Sequence, residues 1–317
     1  MPGHDSKGQG SARGYVYLLL VALFFSFGGT CVKLIRPCFP PSMITFLRFF
    51  VGVLWLLGLK GFKRQPFRQD FAAAFRGHWK WLVFGAVAKL LAYTAENTAL
   101  SIGVSYGNIL TQPAQMVLLT VLGVTALHEK MDAGKGAGVG CCLLGILLIS
   151  WNGLSLEALL AGNITLTLLY VFSGVCAGLF VFAQKKVADH FDILDSNLFM
   201  FALAAALSFL IPLGQGSVLP GSAPDLPCVL AILWYGFVTG IGFYLNAKAI
   251  PLVPFQMVAL LQSCMVFFAI AWGILFFHEA ISVWIVGGAL LFVLGIVIMQ
   301  RPWRKNGTNE KQSDNAS

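Results

Sequence analysis

Apolar runs of about twenty residues follow one another along the whole chain, separated by short polar stretches. They predict ten helical spans, at 15–35, 42–59, 79–99, 104–126, 135–152, 164–183, 195–214, 228–249, 254–277 and 281–300. Each run is about the length that crosses a ~30 Å hydrocarbon core as a helix, at ~1.5 Å per residue. The runs are continuous rather than alternating, so transmembrane β-strands are excluded. Residues 1–14 and 301–317 read as polar cytoplasmic tails. The longest connection, 60–78, is basic and amphipathic, which suits the headgroup level of a bilayer. Tyr15 to Ile35 is longer than the apolar core of a signal peptide, so it predicts an uncleaved first span.

One stretch occurs twice. Leu110 to Glu129 and Leu260 to Glu279 share Gln112 with Gln262, Gly123 with Gly273, and His128-Glu129 with His278-Glu279, all at an offset of 150 residues. The register runs on through Gly138, Gly145 and Ile146, which meet Gly288, Gly295 and Ile296. A fixed-offset repeat signals a duplicated structural unit. The offset carries the chain through five spans, an odd number, so the copies at 15–152 and 164–300 must lie upside down relative to each other. The fold class that follows is an all-α membrane protein of ten transmembrane helices arranged as two inverted five-helix repeats. Inverted repeats supply two nearly equivalent states, one open to each side, and point to a transporter.

Composition sharpens this reading. The chain has 317 residues, 58% hydrophobic and only 11% charged, against about 25% charged in an ordinary globular domain. A net charge of +8 would suggest nucleic acid in a soluble protein, but here the placement of the charge excludes that partner. With the N-terminus inside, 17 of the 21 lysines and arginines fall on inside segments and only Lys33 and Arg36 on outside ones. This bias predicts a multi-pass protein of the plasma or inner membrane with both termini cytoplasmic. The seven cysteines show neither CxxC nor a metal-type spacing, and Cys31, Cys141, Cys142, Cys176 and Cys264, inside apolar runs, read as small hydrophobes. No cofactor or metal is called for. Gly103-Val-Ser-Tyr-Gly107 matches GxSxG by letter without a strand-to-helix elbow, and no nucleotide-binding loop occurs. The chain is read as a non-enzyme.

The same residues carry a family resemblance. The second span (Leu47 to Leu57), the AYTAENTAL run (Ala92 to Leu100), Pro113, and Glu129-Lys130 before a glycine-rich span resemble the EamA type of the drug/metabolite transporter superfamily. Glu279 and Gly287-Gly288 repeat the pattern, and the likeness covers about residues 15 to 300. Ala280 stands where the family usually has a basic residue, and Lys89 and Glu96 where it is neutral or small. The resemblance implies a cavity between the halves, walled by spans 1, 3, 4, 6, 8 and 9, and outward movement of a small metabolite, foremost an amino acid or a related carboxylate.

Ionisable groups inside spans cost several kcal/mol unless they face the bundle interior. Arg48 lies in the second span, and Lys89 and Glu96 in the third with Tyr93 between them at helical spacing. The stripe is either a cavity wall or a structural ion pair, with Arg48 a partner for Glu96. If ionised, the three charges sum to +1, which favours a carboxylate. The equivalent stripe in the second half is Thr239, Phe243 and Asn246. Gln112 and Gln262, with Gln115, either glue helices or bind substrate. Pro113 reads as a hinge or as an ordinary membrane-helix proline. Trp234, Tyr235 and Trp272 read as packing. The glycines at 134, 136, 138 and 140, and Gly174 with Gly178, allow close helix approach.

The candidate substrate-binding residues are therefore Glu96, Lys89, Tyr93, Gln112, Gln262, Arg48 and Asn246. The expected partners are a small-molecule substrate, protons and the bilayer, with the chain a monomer or a homodimer. A proton-coupled exporter of cationic or aromatic drugs and a metabolite uptake carrier are the alternatives within the transporter class. An intramembrane enzyme lacks its catalytic constellation here, and a passive scaffold does not explain the buried charges.

Overall fold

The computed structural model describes residues 12–64, 71–103, 111–126, 133–151, 164–253, 261–262, 264–278 and 282–300. Every regular element among them is helical. The first span is broken in two, α1 (Ala12–Ser26) and α2 (Gly28–Ile35), which meet at Phe27. Then come α3 (Pro41–Phe62), α4 (Phe71–Ile102), α5 (Thr111–Ala126) and α6 (Ala133–Trp151). The second half holds α7 (Ile164–Val187), α8 (Ile193–Gly214), α9 (Leu226–Phe237), α10 (Phe243–Ala249), α11 (Met265–Phe277) and α12 (Val283–Gln300). One wide π turn, Val238–Gly242, joins α9 to α10 within the eighth span.

Local chemistry explains several boundaries. Pro41 begins α3, where its missing N–H is no loss. Asp192 and Asp225 cap α8 and α9 by accepting from the backbone N–H of Leu194 and Cys228. His278 ends α11 in the left-handed region at φ 51°. The third helix starts two turns earlier than hydropathy predicts. Residues 71–78 of the basic connection are thus continuous with the span and do not form a separate surface stretch. Lys60 also departs from its reading as a cytoplasmic loop charge. It lies within α3, is buried, and pairs with Asp195 of α8.

The two halves are inverted, and the contacts display it. Gly145 of α6 packs on Gly288 of α12, while Gly138 packs on Gly295. Rising numbers in one helix meet falling numbers in the other, so these symmetry mates run antiparallel. The second mate pair, α3 and α8, does the same. Ser42 meets Gln215 at 2.9 Å, Phe46 meets Phe209 with ring centres 4.8 Å apart, and Lys60 meets Asp195 at the other end. An axis in the membrane plane produces this pairing, and an axis along the membrane normal would make the mates parallel.

The outer faces are apolar, with Leu144, Leu147, Leu275 and Leu290 exposed, whereas Arg48, Lys89, Asn97, Thr239, Asn246 and Gln262 are buried. That distribution satisfies lipid, which offers no hydrogen bonds, and would fail in water. Of the glycines at 134, 136, 138 and 140, Gly138 supports the close crossing, while Gly136 and Gly140 face open space. Gly174 and Gly178 both seat α7 against α5.

A Cβ at Gly145 would lie 2.7 Å from the Gly288 carbonyl oxygen and 2.9 Å from the Phe292 nitrogen. Gly145→Ala should therefore part α6 from α12 and destabilise the fold by about 1–3 kcal/mol. Gly140→Ala, with nothing within 4 Å, should be neutral or mildly stabilising. Thermal unfolding in detergent checks the contrast.

Candidate functional site

The halves enclose a small, partly open cavity. All seven residues singled out from the sequence line it: Arg48, Lys89, Tyr93, Glu96, Gln112, Asn246 and Gln262. The walls come from spans 1, 3, 4, 6, 8 and 9, with Phe25, Ala177, Val181 and Met265 among them. The second span joins them through Arg48, a contribution the expected set of wall spans leaves out.

Arg48 organises one side. Its Nε donates to Thr239 Oγ1 at 2.8 Å and its Nη1 to the Tyr235 hydroxyl at 2.5 Å. Tyr235 in turn donates to Asn97 Oδ1 at 2.8 Å, and Asn97 Nδ2 donates to Thr45 Oγ1 at 2.9 Å. The Glu96 carboxylate stands 3.6 Å from Nη1, a looser ion pair facing the cavity. The guanidinium carbon also lies over two rings, 3.2 Å from the centre of Tyr93 and 4.0 Å from that of Tyr235. Tyr235 is thus part of a polar network and not the plain packing its sequence context suggests. Trp234 is partly exposed against Phe24, Phe27 and Phe237, and Trp272 donates to Ser26, so these two do pack.

Lys89 differs from Arg48. It is buried, and Lys89 and Glu96 form no ion pair with each other. Its ammonium rests 4.0 Å from the Tyr93 ring centre, 4.1 Å from Phe243 and 5.1 Å from Phe180. Among the described residues no carboxylate or hydrogen-bond acceptor reaches it. The facing wall is amide-rich. Gln262 Nε2 donates to Asn246 Oδ1 at 2.5 Å, which leaves the buried Asn246 Nδ2 without a partner among the described residues. Gln112 Nε2 reaches only the Met265 sulfur, at 3.6 Å.

The backbone places these amides. A turn at Cys264 precedes α11 close to Gln262, and Gln112 and Pro113 lie in α5. In the eighth span, Gly236 and Gly240 lie against Val51 and Gly52 of α3. That close crossing, with the π turn, brings Thr239 to Arg48 and aims Phe243 and Asn246 inward.

Phe180, which covers Lys89 beside the cavity, had no signal in the sequence. Ala177 and Val181 had one, since the Gly174/Gly178 stripe that presses α7 on α5 also carries them to the cavity. His128, Glu129 and Glu279 lie outside the described residues, and His278 is an exposed helix end.

Removal of the guanidinium should be severe. Arg48→Gln strands Thr239, Tyr235 and Glu96 together, for an expected loss of about 3 kcal/mol, whereas Tyr235→Phe should lose about 1 kcal/mol. A double-mutant cycle by thermal unfolding should find the two changes non-additive.

Comparison with known proteins places the chain. The EamA-like transporter family matches residues 12–151 and, separately, residues 164–301. An uncharacterized transporter of Bacillus subtilis (strain 168), YoaV, is 23% identical over 286 residues, covering 88% of this chain and 94% of its own. A solved crystal structure of another protein superposes with a TM-score of 0.67 at 17% identity, over 91% of this chain and 96% of that one. That likeness concerns the fold alone.

Proposed function

The chain belongs to the EamA-like transporter family, and from that premise we propose that it is a secondary transporter exporting a small organic metabolite that bears a carboxylate, foremost an amino acid or a close relative. It is a multi-pass membrane transporter, and the inverted halves around one cavity suit alternating access. In this reading both termini are cytoplasmic, in the plasma or inner membrane, and one chain holds the whole cavity.

A single observation carries the substrate class. Lys89 borders the cavity with three aromatic rings around its ammonium and no acceptor among the described residues. A carboxylate entering the cavity supplies the missing acceptor, and a charge-assisted bond of this kind is worth about 1.5–3 kcal/mol. Arg48 is already held by Thr239, Tyr235 and Glu96, so it acts as a fixed element of the wall. Glu96, the cavity's acid, takes the substrate ammonium or a coupling proton. The Asn246 and Gln112 amides, each with a donor that is free or weakly engaged, orient the polar body. With Arg48, Lys89 and Glu96 ionised the wall sums to +1, which disfavours cationic drugs.

The test is flux in proteoliposomes with amino acids, other carboxylates and cationic aromatic drugs, each with and without a pH gradient. Expected is carboxylate-selective flux. Lys89→Met should weaken it by about 10- to 100-fold, the equivalent of the lost charged bond, and Glu96→Gln should remove its dependence on the pH gradient. Transport of a cationic drug that Lys89→Met leaves unchanged would overturn the reading.

A further inference from the structure

At the end of the bundle away from the Lys60–Asp195 pair, Cys38, Asp225 and Cys228 converge. Cys38 lies in the turn between α2 and α3, in the first half. Asp225 caps α9 and Cys228 stands three residues later, in the second half. Cap position and third helical position face each other across the first turn, so the carboxylate and the second thiol meet by local geometry. Cys38 is brought to them by two bonds between the loops. Gly221 N donates to the Cys38 carbonyl at 2.8 Å, and Ser222 Oγ donates to the Pro37 carbonyl at 3.0 Å.

The two sulfurs and a carboxylate oxygen all lie within 4.8 Å of one another. Two thiolates on one tetrahedral zinc ion, with bonds of about 2.3 Å, stand about 3.8 Å apart. Side-chain adjustments of at most about 1 Å therefore close the set around one ion. From these distances we infer that Cys38, Cys228 and Asp225 form a site for a thiophilic divalent cation of the Zn²⁺ class, bridging the two halves of the transporter.

The chemistry of the three groups supports the ion. Both thiols are buried, Cys38 to 5% and Cys228 to 0% exposure, while Asp225 is exposed. The cation thus approaches through the carboxylate and is gripped by sulfur beneath. Asp225 Oδ1 accepts from Cys228 N at 2.9 Å, so its other oxygen remains for the metal. Binding displaces the two thiol protons and changes no oxidation state. A disulfide between the same sulfurs is the competing outcome, and it gives the carboxylate no role. The site lies apart from the substrate cavity and does not depend on what that cavity carries.

The full chain is purified in detergent, stripped with chelator, equilibrated with ZnCl₂ and dialysed. Metal per chain is then counted by mass spectrometry, and Cd²⁺ titration is followed by its sulfur-to-metal charge-transfer absorption. Expected is about one zinc per chain in the parent protein and in Cys141→Ser. Cys38→Ser and Cys228→Ser should lose the sulfur absorption and bind at least about tenfold more weakly, a loss no smaller than changes behind a metal ligand produce. Asp225→Asn keeps a capping oxygen and the fold. It should weaken zinc comparably, and it decides the matter if either serine variant fails to fold. Zinc retained equally by Asp225→Asn, no stoichiometric zinc in the parent, or an intact mass two hydrogens short that maps to a Cys38–Cys228 disulfide would each overturn the proposal.

Discussion

A guanidinium buried in a bundle that lipid surrounds has to find all its partners inside the protein, and Arg48 does so across both halves. Its donors reach Thr239 and Tyr235 in the eighth span, its charge is offset by Glu96 in the third, and the rings of Tyr93 and Tyr235 lie against it. Each of those partners is thereby fixed in place. The need to bring α9 that close to α3 explains why Val51-Gly52 faces Gly236 and Gly240, where a side chain would collide with backbone. Polar satisfaction and small-residue packing are here one constraint, because hydrogen bonds of normal length require backbones at short range.

That network also makes Lys89 distinctive. Two cations lie on neighbouring helices of one cavity, yet only one is fully engaged. Arg48 has a planar fork that several acceptors can share, whereas Lys89 is a point charge held by ring faces alone. A buried ammonium with no acceptor is costly and persists where a ligand completes it. The chemistry of the cavity therefore follows from an incomplete set of contacts as much as from the complete one beside it.

Symmetry and its breach divide the labour. The backbone repeats, so α6 meets α12 and α3 meets α8 as antiparallel mates. The lining does not. Lys89, Tyr93 and Glu96 correspond in register to Thr239, Phe243 and Asn246, and Arg48 corresponds to Leu198. A repeated scaffold supports two states of similar energy, and a lining charged on one wall and amide-rich on the other confers selectivity. The Lys60–Asp195 pair is a second asymmetry, since register places Leu210 and Thr45 at its mates. One end of the bundle is tied by an ion pair that Leu210 and Thr45 do not reproduce at the other.

The sequence by itself determined the class of fold and most of the cavity's polar residues. Lipid accepts few patterns: twenty-residue apolar runs can only be helices, an odd-numbered repeat can only be inverted, and a charge within a run can only turn inward. Those rules sufficed to select Arg48, Lys89, Tyr93, Glu96, Gln112, Asn246 and Gln262. Tertiary structure alone decided who meets whom. It gave Arg48 to Tyr235 and Thr239 and left Lys89 to three rings. It buried Lys60 against Asp195, although the sequence placed Lys60 in the basic connection at the headgroup level. It also joined Cys38 to Cys228 across the two halves, where local spacing had shown no site. Periodicity records which face of a helix is polar, but which neighbour that face meets depends on the crossing of helices far apart in the chain, and no local pattern encodes that.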